Sequence, residues 1–248
     1  MDRVSRREPR KWWNTVALGL LAAIVFLEVW MNACSSGSPG AAKTNKAVTL
    51  STASSASPAE GSVPTSLSNA GEYGENIYDY AKANDWKNAG AKLATLKDAV
   101  KQVRTDVKNQ SAAVQQLDTH VVAVDRAVTA KDRQATMREA NQVTLDVANM
   151  TSAYKLSVPV EVTKLDYYAR ELEVWAQAQD ANKLQATARE MRQTWDSLRP
   201  TITAKSATEA KKFDTIVAQV ESAKTPADYA RAATPVLNEV DNLEKLFH

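Results

Sequence analysis

The chain has 248 residues, with 31 Lys and Arg against 29 Asp and Glu, two histidines and one cysteine. So even a balance excludes a nucleic-acid-binding domain that works through a basic surface. A single cysteine excludes a disulfide-stapled scaffold, so packing must supply the stability.

The N-terminal stretch carries Arg3, Arg6, Arg7, Arg10 and Lys11 ahead of an apolar run over residues 15–26. Basic charge before an apolar segment keeps the N-terminus on the cytoplasmic side. Trp12, Trp13 and Trp30 flank the run as interfacial aromatics do. Cys34, the one cysteine, follows directly, after Met31, Asn32 and Ala33. Five of the 31 basic and three of the 29 acidic residues precede Cys34, which leaves 26 of each beyond it. The basic excess therefore belongs to the leader.

Residues 34–70 are rich in Ser, Ala, Gly, Thr and Pro and hold few side chains large enough to bury. They are expected as a flexible tether, with order beginning between Asn69 and Tyr73. From Glu75 onward there is one glycine, Gly90, and Ala, Gln, Lys, Glu, Leu and Val dominate. That composition predicts an all-α domain.

The domain repeats with a period of about 47 residues. Asp85, Asp132, Asp180 and Thr225 mark the repeat, and each is a residue type that caps a helix N-terminus. Eleven residues after them stand Leu96, Val143, Met191 and Val236; fifteen after stand Val100, Val147, Trp195 and Val240; eighteen after stand Val103, Met150, Leu198 and Leu243. Eight residues before them stand Ile77, Val124, Leu172 and Val217. Spacings of three and four draw one apolar stripe along each helix. The prediction is four tandem helical hairpins that pair into two four-helix bundles, over residues 71–157 and 158–248, with the boundary near Pro159.

Motifs for chemistry are absent from the sequence. No Glu-x-x-His, His-Glu-x-x-His or glycine-rich phosphate loop occurs. His120 falls where the other repeats carry Tyr73, Tyr168 and Phe213, so a ring packed in a seam is expected. Asp166, Glu171 and Glu173 read as a solvated acidic face. Trp175 and Trp195 lie on the seam, whereas Trp86 stands at a hairpin turn and is the expected exposed contact residue. No catalytic residue, metal ligand or cofactor is assigned.

The leader, Cys34 and the tether resemble a bacterial membrane lipoprotein. The resemblance covers residues 1 to about 40 and implies a removed signal peptide, palmitate or a related lipid on Cys34, and a domain held outside the cytoplasm at the cell membrane. The other reading keeps residues 1–33 as an uncleaved anchor helix. Either way the expectation is a non-enzymatic binding or scaffolding module for a protein or envelope component. The alternative is an exported bundle that takes a metal, haem or small apolar ligand.

Overall fold

The computed structural model describes residues 61–107 and 110–248. The leader, Cys34 and most of the expected tether lie outside these residues. Eight helices follow in order: α1 (Thr65–Lys82), α2 (Trp86–Asp106), α3 (Ser111–Ala130), α4 (Arg133–Thr151), α5 (Val160–Ala178), α6 (Ala181–Lys205), α7 (Ala207–Ser222) and α8 (Pro226–Lys245). There is no strand among the described residues.

Each repeat anchor caps a helix. Asp85, Asp132 and Asp180 accept hydrogen bonds from the backbone N–H three residues on, which satisfies a donor the helix itself leaves unpaired. Thr225 does the same and forms a reciprocal capping box with Asp228. The residues before the three aspartates, Asn84, Lys131 and Gln179, are left-handed, with φ of 57°, 52° and 57°. Each aspartate N–H then donates back to Tyr80, Ala127 or Trp175, which closes the preceding helix with a Schellman turn. Three of the four hairpins thus share one turn built on the same backbone.

The hairpins pair as the stripes predict. Helices α1 to α4 pack in a ring, as do α5 to α8, and α4 joins the two through α5. One core gathers buried residues from Leu67 to Met150 together with Val174 of α5, and the other runs from Val158 to Leu243. Leu96, Val143, Met191 and Val236 are all fully buried. Between the first two hairpins the chain does not run through as one helix: α2 ends at Asp106 and α3 begins at Ser111.

Order begins earlier than composition suggests. Helix α1 starts at Thr65, and Leu67, Ala70 and Gly71 are buried. The small residues that read as a linker are there because α1 lies tight on α4. A Cβ at Gly74 would stand 3.1 Å from the Ala140 carbonyl oxygen and 3.1 Å from a Val143 methyl. A side chain there would require α4 to give way by a few tenths of an ångström.

No described helix is long and apolar enough to cross a membrane.

Candidate functional site

Helix α5 carries two buried faces. One holds Leu165, Leu172 and Ala176 in the second core. The other carries charge, and it meets the first bundle instead of solvent. Asp166, Arg170, Glu171 and Glu173 are all buried, which corrects the expectation of a solvated acidic face. Within α5, Asp166 accepts from Arg170 Nε at 2.9 Å and Glu171 accepts from the Trp175 indole at 2.6 Å. These are neighbours one helical turn apart.

The remaining bonds cross between the bundles. From α4, Asn141 donates to the Glu171 carboxylate at 2.9 Å and to the Tyr167 carbonyl at 3.1 Å. Gln142 donates to the Tyr167 hydroxyl at 2.8 Å. From α1, the Tyr78 hydroxyl donates to Glu173 at 2.8 Å, and Lys82 reaches the same carboxylate at 2.6 Å. The Arg170 guanidinium lies over the Tyr78 ring, 4.9 Å from its centre.

These contacts set the local electrostatics. Burial pulls the Arg170 pKa down, but Asp166, Asp79 and Glu75 outweigh it and hold the guanidinium charged. For Tyr78, burial and then the Glu173 charge push the hydroxyl well above its ordinary value, so it remains a donor. Glu171 is raised by burial against the opposing hydrogen bonds from Asn141 and Trp175. Removing one partner of such a buried set leaves its opposite charge uncompensated, which costs far more than the set contributes when intact. The two bundles are therefore joined by polar side chains with specific geometry beside an apolar contact, Val174 and Trp175 of α5 packed in the first core.

Beside this junction opens a cleft of about 310 Å³ between α1, α5 and α8. Asp79 and Lys82 line it from α1, Arg170 and Glu173 from α5, and Thr234 and Asn238 from α8. Both signs of charge are presented, and Asp79, Lys82, Thr234 and Asn238 are exposed at its mouth. The Arg170 Nη1 atom is buried and without a hydrogen bond, 3.7 Å from the Asp79 carboxylate.

Other residues singled out from the sequence fall as follows. Trp195 is fully buried, donates to Asp214 at 2.8 Å and packs on Phe213. Trp175 is half-buried and touches both cores. Trp86 is also half-buried and leans on the first core, so only part of its ring is open for contact. His120 is not simply a seam ring: it sits between α3 and α4 with a carboxylate near each ring nitrogen. Cys34 lies outside the described residues. The cleft could not be found from periodicity, because its members come from helices whose pairing is a tertiary fact; the His120 cluster lies within one expected hairpin, but an apolar repeat does not register polar partners.

Comparison with protein-family models, with curated proteins and with solved structures finds no match.

Proposed function

We propose that this chain is a membrane-tethered, extracytoplasmic helical module that binds a protein or envelope component and performs no chemistry itself. The cleft between α1, α5 and α8 is the observation that carries the reading. It is open, it offers donors and acceptors of both charge signs, and a buried polar junction holds its walls in fixed relation. A preorganised polar surface of that kind suits recognition, because little ordering entropy remains to be lost on binding. The leader pattern and Cys34 support the tethered placement, with the lipid on Cys34 or the apolar run as the attachment.

The test is capture from detergent-solubilised membranes with the full-length chain as bait. Three baits are compared: the parent, a chain ending before residue 61, and Thr234→Arg, which fills the cleft from an exposed position on α8. The expected result is a partner held by the parent and lost by both others. An identical partner set for the parent and the shortened chain would remove the binding role from the helical domain. Retention by Thr234→Arg alone would move the binding surface away from the cleft.

A further inference from the structure

His120 of α3 and Asp146 of α4 face each other. On one side, His120 Nδ1 is 3.1 Å from Glu139 Oε2. An ionised carboxylate can only accept, so Nδ1 carries the hydrogen, and the neutral ring leaves a lone pair on Nε2. On the other side, Asp146 Oδ1 accepts from Gln116 Nε2 at 2.7 Å. The second oxygen, Oδ2, is buried and has no hydrogen-bond partner. Nε2 and Oδ2 stand 3.9 Å apart. That is too long for a hydrogen bond. With the ring protonated the two form a long ion pair; in its Nδ1–H tautomer, two acceptors face one another.

We propose that His120 Nε2 and Asp146 Oδ2 are the two protein ligands of a site for a first-row divalent metal ion between α3 and α4. The arrangement has the parts such a site needs. Each ligand is held from behind by a second side chain, Glu139 on the imidazole and Gln116 on the carboxylate, which is how metal-binding histidines and carboxylates are usually oriented. The donor pair, one imidazole nitrogen and one carboxylate oxygen, suits Zn²⁺ and its neighbours in the series better than Ca²⁺ or Mg²⁺. At bond lengths of about 2.1 Å a tetrahedral ion holds its ligands roughly 3.4 Å apart. The pair therefore has to close by about half an ångström, within reach of small side-chain adjustments.

The surrounding charge favours a cation. Asp146 and Glu139 are acidic, and Arg138 pairs with Glu139 at 2.9 Å on its half-exposed side. The His120 side chain is 22% exposed, which gives an ion a way in. No three His, Cys, Asp or Glu side chains converge on one point among the described residues. Water completes the coordination, and binding is weaker and more readily exchanged than at a structural zinc site. The site is separate from the cleft, and its failure would leave the binding reading untouched.

The experiment is calorimetric titration of Zn²⁺ into the full-length, chelator-stripped chain carrying Cys34→Ser, which removes the one thiol that could compete. One ion per chain is expected. Asp146→Asn, nearly isosteric, and His120→Gln should each abolish that uptake, and Glu139→Gln should weaken it by about 10- to 100-fold, the usual cost of losing an outer partner. His248→Gln, at the other histidine, should change nothing. In ¹⁵N spectra of the parent, Zn²⁺ should move the Nε2 resonance of His120 and leave Nδ1 bonded to hydrogen. Absent uptake, uptake undiminished in both ligand variants, or a shift confined to Nδ1 would each overturn the site.

Discussion

Gly74 and Gly90 offer a matched pair for testing how closely α1 lies on α4. Both stand inside helices, Gly74 in α1 and Gly90 in α2 of the same bundle. Replacing a helix-interior glycine by alanine contributes about 1 kcal/mol through propensity alone. At Gly90 a new Cβ meets nothing within 4 Å, so that gain should appear in full. For a domain of this size it corresponds to a rise in Tm of roughly 2–4 °C. At Gly74 the same methyl would stand 3.1 Å from backbone oxygen of Ala140, 3.1 Å from Val143 and 3.2 Å from the Thr144 hydroxyl. Backbone on α4 cannot yield as a flexible side-chain tip can. Overpacking of this kind costs about 1–3 kcal/mol. The propensity gain is therefore cancelled or exceeded, and Gly74→Ala should lie about 1–3 kcal/mol below Gly90→Ala. Urea and thermal melts of the full-length variants, followed by circular dichroism, give the comparison. Equal stabilisation by both substitutions would refute the close approach of α1 and α4.

Four further outcomes are expected. Leu198→Ala should cost about 2–5 kcal/mol, since Leu198 is 2% exposed in the second core, whereas Gln193→Ala on the same helix should stay within about 0.5 kcal/mol; equal melts would refute the seam. Lys131→Gly and Gln179→Gly should each stabilise by up to about 1 kcal/mol, because the left-handed conformation costs a side-chain-bearing residue roughly 1–2 kcal/mol and glycine gives back about half of that in the unfolded chain. A loss of stability in both would contradict the turn geometry. Arg170→Ala should destabilise by about 3–5 kcal/mol by removing a buried positive charge paired with Asp166 and Glu75, against no more than about 1 kcal/mol for Arg192→Ala at an exposed pair; comparable melts for the two would refute a structural role for the buried pair. Under the lipoprotein reading, Cys34→Ala should end incorporation of labelled palmitate while leaving the melt unchanged, and persistent labelling would exclude that cysteine.

Much of the fold was legible because it rests on local chemistry. Asp85, Asp132, Asp180 and Thr225 had to cap something, and the apolar residues spaced behind them could face only one way. Two features were hidden for a common reason. Ser66 and Ala70 look like linker because small residues signal slack as readily as close contact, and only the position of α4 decides between them. Asp166, Arg170, Glu171 and Glu173 look solvated because periodicity registers apolar burial alone. Their burial depends on Tyr78, Lys82 and Asn141, which lie far away in the chain and belong to the other bundle. His120 is the sharpest case. Its repeat position suggested a packed ring, while Glu139 and Asp146, the residues that give it chemical meaning, are brought to it by the pairing of α3 with α4.

The register across the bundle junction gives the molecule two unlike poles. Tyr78 and Lys82 of α1 meet Glu173 of α5, and all three lie a few residues before their own hairpin turns. Asn141, on the way down from the turn at Asp132, meets Tyr167 and Glu171 on the way up. Odd-numbered helices therefore run toward one pole and even-numbered helices run back, so all four capped turns gather at the same end. The start of α1 and the end of α8 share the other. At a rise of about 1.5 Å per residue, helices of this length separate the poles by roughly 30 Å. The turns at Asp85, Asp132, Asp180 and Thr225 stand a helix length beyond the point where the chain enters the domain at Thr65, and Trp86 travels with them.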